Sequence, residues 1–241
     1  HTLHPIEALR AVWTPEDDSL ERAEHIFDWV IKNRGNYVQW VGLDDIQNST
    51  LKHEQWHAHT AAMLDHGHMR GLRLGTGVQL FGAANLQQAY DLIDDADTMD
   101  EMRASVRERM SLLTEDLEWD HFSMSFGEFF EEEPERFLEA ADMAYAEMKD
   151  LEPGVTVNSQ IHVGNYPDMY VEYEGETYNY YFLVQFLDES VTPWVHTVMY
   201  YNLFEDAGLA YNHDEFDEHR QFLLDRLAAD QPVAYFPESA Y

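Results

Sequence analysis

Two glutamates carry the most suggestive chemistry in the chain. Glu128 sits in Phe126-Gly127-Glu128-Phe129 and Glu238 in Phe236-Pro237-Glu238-Ser239, each at the end of a strand-like apolar run. A pair of carboxyl groups on one face of a fold is the minimum equipment for splitting a glycosidic bond. One stays protonated and gives a proton to the leaving oxygen; the other stays ionised and attacks or stabilises the anomeric carbon. Phe126, Phe129 and Phe130 would desolvate Glu128 and raise its pKa, suiting it to the acid role.

The elements that must position this pair alternate between strand and helix patterns. His1 to Ile6 reads as the tail of a strand. Ser19 is placed to cap a helix through Arg34, with Leu20, Ala23, Ile26, Phe27 and Val30 on one face and Gly35 as its stop. Strands are expected at Tyr37 to Leu43, Leu72 to Phe81, His121 to Phe126, Val155 to Val163, Trp194 to Tyr201 and Val233 to Phe236. Helices are expected from Asn48 or Ser49 to an end near Gly67 to Gly71, over Asn85 to Ile93, Thr98 to Leu117, Pro134 to Met148 and Phe216 to Leu227. A tyrosine-rich excursion, Tyr166 to Tyr181, precedes a short helix ending at Leu187. Such alternation implies a parallel sheet with right-handed crossovers. The fold expected is α/β, a single (β/α)₈ TIM-type barrel over residues 1–241, incomplete at one or both ends, with an eighth strand beyond Tyr241. A doubly wound open sheet is the rival, but the glycines between Gly71 and Gly82 lack dinucleotide spacing.

With the strand at His1 counted first, Glu128 ends strand four and Glu238 strand seven. This arrangement resembles the clan A glycoside hydrolases, (β/α)₈ barrels with a general-acid Glu after strand four and a nucleophilic Glu after strand seven. The resemblance covers the architecture of most of the chain and implies Glu128 as acid/base and Glu238 as nucleophile. Tyr200-Tyr201 resembles the tyrosine that orients the nucleophile in that clan. Gly127 stands where the clan has an Asn before the acid. Trp40, Asp44, Asp45, His162, His196, Tyr200 and Tyr201 are the expected substrate-binding residues, aromatic faces stacking on sugar rings. No cofactor is required by this reading.

The histidines open an alternative. Amidohydrolase-type barrels bind a divalent metal through histidines on strands one, five and six and an acid on strand four. Here His1, His4, Glu128, His162 and His196 occupy those strands, and imidazole with carboxylate suits zinc. His1 and His4 have two intervening residues where that pattern has one, which sends alternating side chains to opposite faces. A third pattern, His53-Glu54-Gln55-Trp56-His57, is a formal H-E-x-x-H and resembles the zincin metalloproteases at those five residues. Against it stands a bland reading, in which His57, His59, His66 and His68 are exposed helix residues. A non-catalytic glycan-binding barrel is the remaining alternative.

Charge excludes other classes. With 47 Asp and Glu against 14 Lys and Arg, the net charge is −33, which repels nucleic acid and anionic membranes. Such a coat also suits high salt, where screening removes self-repulsion. There is no cysteine, so disulfides and thiolate chemistry are excluded. No apolar run approaches the roughly 18 residues of a membrane span. The expected partner is a carbohydrate substrate, and the expected location extracellular or periplasmic.

Overall fold

The computed structural model describes residues 19–41, 53–81, 90–93, 98–125, 133–198 and 201–237. The chain falls into two compact units, residues 1–125 with 146–156, and residues 126–145 with 157–241.

The first unit is built on parallel pairing. Strand β1 (Tyr37–Val41) follows helix α1 (Ser19–Lys32) and pairs in parallel with β2 (Arg73–Gln79), reached through helix α2 (His53–Met69). On its other edge β2 pairs in parallel with β4 (His121–Ser125), reached through helix α3 (Met99–Thr114). The short β3 (Tyr90–Asp91) pairs with Val78 and Gln79, beyond the point where β1 stops. Parallel neighbours require such crossovers, which cover the sheet with helices and bury strands on both faces. Six of the seven β2 residues are accordingly buried or half-buried.

Local sequence accounts for the helices. Thr98 and Glu101 form a reciprocal capping box at the start of α3, and Met102, Val106, Met110 and Leu113 make its buried stripe. At the end of α1 the Gly35 and Arg34 amides donate to the Val30 and Ile31 carbonyls, at 2.8 and 2.9 Å. The left-handed residue of this stop is Arg34, at φ 63°, not Gly35. Gly35 is small for another reason: a Cβ there would lie 2.5 Å from Val30 Cγ1.

One expected helix differs in its described part. Within 85–93, Tyr90–Asp91 is strand, and 82–89 lie outside the described residues. Tertiary contacts override the local pattern here. Tyr90 is fully buried, its hydroxyl donates to the Arg109 carbonyl at 2.7 Å, and the Arg109 guanidinium lies 4.9 Å over its ring.

In the second unit, β5 (Thr156–Ile161) pairs in parallel with β8 (Val191–Thr197), and β8 with β9 (Ala234–Pro237). Helix α5 (Asp217–Ala228) makes the β8–β9 crossover. Helix α4 (Pro134–Leu151) contributes its residues 134–145 to this unit and the remainder to the first. The tyrosine-rich excursion resolves into an antiparallel hairpin, β6 (Tyr170–Tyr173) and β7 (Glu176–Asn179), followed by a 3₁₀ segment, Tyr180–Phe186. Its two-residue turn, Glu174-Gly175, has φ of 52° and 87°, the double positive φ that matches strand twist. Strand β8 ends at Thr197, so Tyr201 follows the strand rather than closing it. No helix among the described residues is long and apolar enough to cross a membrane.

Candidate functional site

The expected catalytic pair follows the ends of β4 and β9 in the chain, but Glu128 and Glu238 both lie outside the described residues, as do Asp44, Asp45, Tyr200, His1 and His4. The Trp40 backbone lies in β1 opposite Thr76. Tyr201 is half-buried and donates its amide to the Val198 carbonyl at 2.9 Å.

His162 and His196 are brought together. His162 follows β5 directly, His196 is the penultimate residue of β8, and their rings stand edge to face with centroids 5.0 Å apart. His162 is half-buried; His196 is 6% exposed and also packs on Phe236 at 5.1 Å. Two further histidines complete the cluster, His213 and His219, with rings 5.3 Å apart. Neither stood out in the sequence, because one lies in a loop and the other in the first turn of α5. The signal that finds His219 is its helical face, shared with Phe216 and Phe222.

Backbone hydrogen bonds engage three of these rings. The Val163 amide donates to His162 Nδ1 at 2.7 Å, and the Gly164 amide to His213 Nε2 at 3.1 Å. Both nitrogens are therefore unprotonated acceptors. His219 Nε2 lies 3.0 Å from the His162 carbonyl and donates to it. Asn179 Nδ2 donates to the Gly164 carbonyl at 2.6 Å, and Asn165 accepts from the Tyr170 hydroxyl at 2.6 Å. The segment 162–165 leaving β5 is thus held on both backbone and side-chain sides.

Burial favours the neutral form of three of these rings. It pushes His219 down to about 3, assisted by the nearby His213 and His162 rings and opposed by the bond to the His162 carbonyl. Burial likewise holds His196 well below its ordinary value, with His162 and His219 adding to the effect, and lowers His213. A histidine held neutral by burial is a poor general acid near pH 7. His162, His213 and His219 are each hydrogen-bonded to the backbone of residues 162–164.

Among the described residues there is no group of three or more His, Cys, Asp or Glu side chains arranged to hold a metal. Of the five amidohydrolase-type candidates only His162 and His196 are described. In the H-E-x-x-H segment, Glu54 is exposed and His57 Nε2 contacts the Glu115 carbonyl. The neighbouring helix histidines are not an exposed set. His59 is buried and pushed down to about 4 by that burial. His68 Nε2 meets Asp120 Oδ2 at 2.9 Å, and the same oxygen accepts from the Leu74 amide at 2.8 Å. These contacts tie α2 to the starts of β2 and β4, the stability-bearing end of a parallel strand.

No family model matches the chain, and no curated protein does. Solved structures do resemble it. A family 20 β-N-acetylhexosaminidase from Streptomyces coelicolor A3(2) matches with a TM-score of 0.57 at 10% identity, over 98% of this chain and 47% of that one. A family 20 β-N-acetylglucosaminidase matches with a TM-score of 0.52 at 9% identity, over 99% and 52%. The chitobiase of Flavobacterium johnsoniae matches with a TM-score of 0.52 at 9% identity, over 97% and 37%. The chain therefore spans about half the length of these proteins or less. At such identities the likeness defines the fold: an α/β, incomplete TIM-type barrel of the architecture used by glycoside hydrolases.

Proposed function

We propose that the chain forms part of a glycoside hydrolase-like barrel acting on carbohydrate, with Glu128 as acid/base and Glu238 as nucleophile. The observation that supports this reading most is the fold likeness to the Streptomyces coelicolor β-N-acetylhexosaminidase, which extends over 98% of the chain. Glu128 and Glu238 follow β4 and β9 in the sequence, the ends of parallel strands where barrel enzymes place their chemistry. In this mechanism Glu128 protonates the glycosidic oxygen as the bond to the anomeric carbon breaks. Glu238 attacks that carbon, and Glu128, now a base, activates the water that releases the sugar. No metal takes part. His162, His213 and His219 hold the segment after β5, and in this reading His162, His196 and Tyr201 line the sugar pocket.

The neighbours' names suggest an N-acetylated amino sugar as substrate. With such sugars the substrate's own acetamido group can replace the protein nucleophile. Aryl β-glucosides and aryl β-N-acetylglucosaminides should therefore be assayed with Glu128→Gln and Glu238→Gln, with and without a chelator. Glu128→Gln is expected to abolish turnover of substrates with poor leaving groups. Glu238→Gln is expected to abolish it on the plain glucoside, because the amide keeps the shape but cannot attack. Retention on the N-acetylated substrate alone would replace Glu238 by substrate assistance. No hydrolysis of any glycoside by the folded wild type, or loss on chelation with recovery on adding zinc, would refute the reading.

A further inference from the structure

The second unit carries a concavity of about 530 Å³ bordered by the hairpin, the 3₁₀ segment and the first turns of α5. None of its lining residues is among the strand-end candidates. The volume falls in the range of roughly 300–1,000 Å³ typical of small-ligand sites. Its apolar part is aromatic and already fixed. Phe182 is buried, and its ring stands 5.5 Å from Phe222 at 75°. Tyr178 is braced by Phe186, ring centroids 5.1 Å apart at 79°. Walls ordered before binding reduce the entropy cost of capture.

The polar part favours donors over anions. Gln185 Nε2 donates to the Phe182 carbonyl at 3.0 Å, and Gln221 Nε2 donates to Asp225 Oδ1 at 2.7 Å. Each amide is thereby oriented, and its oxygen is the acceptor left to a ligand. Arg220, the one cation in the lining, is engaged by the Leu203 carbonyl at 2.8 Å and by Asp217. Glu218, exposed in the free chain, adds a further carboxyl. A phosphate or carboxylate ligand would meet two acidic side chains and an arginine already committed. A pyranose offers what this lining accepts: C–H faces for aromatic rings, and several hydroxyl donors for amide and carboxyl oxygens.

We infer that this concavity is a second sugar-binding subsite, taking a pyranose ring against Tyr178 and Phe222 with Gln185, Gln221 and Glu218 accepting its hydroxyl protons. The choice of sugar probe rests on the proposed glycosidase reading; the geometry of the concavity does not. The test is titration of the full chain carrying Glu128→Gln with the trimer of N-acetylglucosamine and with cellotriose, followed by the side-chain amide signals of Gln185 and Gln221 and the ring signals of Tyr178. Saturable shifts at these residues are expected with at least one trimer. Phe222→Ala should weaken binding about tenfold, the worth of one lost aromatic contact. Gln185→Ala serves as a second variant that leaves the aromatic walls in place and should weaken binding in the same direction. Absence of shifts at Tyr178, Gln185 and Gln221, or unchanged affinity in both variants, would overturn the subsite. Displacement of the sugar by inorganic phosphate would overturn the acceptor argument. A wild type that hydrolyses no glycoside yet binds here refutes the catalytic reading alone; one that hydrolyses but does not bind here refutes the subsite alone.

Discussion

His219 offers a direct test of whether the buried histidine cluster limits the pH range of the fold. Its side chain is fully buried, and its pKa falls from 6.5 to about 3, first by burial and then by the adjoining His213 and His162 rings. In the unfolded chain it titrates at its ordinary value. Between these limits the unfolded state binds the extra proton, so stability rises with pH. The contribution is fully present above about pH 6.5 and drains away as the pH falls toward the folded value. Each pH unit in that window is worth about 1.4 kcal/mol, so acidification to about pH 5 costs roughly 2 kcal/mol from this group alone. That is a large share of a typical domain stability of about 5–15 kcal/mol.

Glutamine at position 219 does not titrate, and its amide can donate to the His162 carbonyl as His219 Nε2 does. Urea unfolding of wild type and His219→Gln, at fixed salt and a series of pH values, isolates the term. Protonation of the abundant carboxylates relieves self-repulsion in both proteins and cancels in the difference. The wild type should lose about 2 kcal/mol relative to the variant between neutral pH and about pH 5. Parallel stability curves over that range would refute the argument, because they would mean His219 binds its proton equally in both states. His59 in the first unit, pushed down to about 4 by burial, should behave in the same direction with a smaller window.

Two further outcomes are expected. Gly75→Ala should lower the melting temperature by the equivalent of roughly 1–3 kcal/mol, because the added Cβ would lie 2.6 Å from the His121 carbonyl of the paired strand and 2.5 Å from the Tyr37 hydroxyl; an unchanged melt would show that the β2–β4 ladder can open at no cost. The net charge of −33 should make the melting temperature rise from low to molar salt, and a flat or falling trend by scanning calorimetry would reject adaptation to high salt.

What was legible in the sequence follows from which forces act locally. The α3 stripe of Met102, Val106, Met110 and Leu113 and the Thr98 cap are written at helical spacing, so the element can be read without its neighbours. The parallel strands are short apolar runs between such helices, and their order along the chain is enough to suggest a barrel. Tyr90 is different. Its strand conformation depends on pairing with Val78 and on the Arg109 carbonyl that receives its hydroxyl, neither of which is visible in residues 85–93. Arg34 is different again: a glycine beside it invites the left-handed position, yet the close approach of Val30 reserves Gly35 for lack of a side chain.

The histidines show most clearly where sequence reasoning stops. His162 and His196 drew notice as strand-end residues, and their rings do meet. Their surroundings, however, come from elsewhere: the Val163 amide donates to His162, His219 donates to the His162 carbonyl, and burial, with His162 and His219 nearby, disfavours the charged His196 ring. A metal ligand and a neutral structural imidazole are the same letter in the sequence. They are separated only by what faces each nitrogen: here a backbone amide on His162 Nδ1, another on His213 Nε2, and a carbonyl on His219 Nε2. Backbone groups already hold those three nitrogens, and burial disfavours the charged rings of His196, His213 and His219. Three histidines bonded to backbone in this way hold the segment leaving β5 at neutral pH, at the cost of the acid sensitivity that His219→Gln is designed to measure.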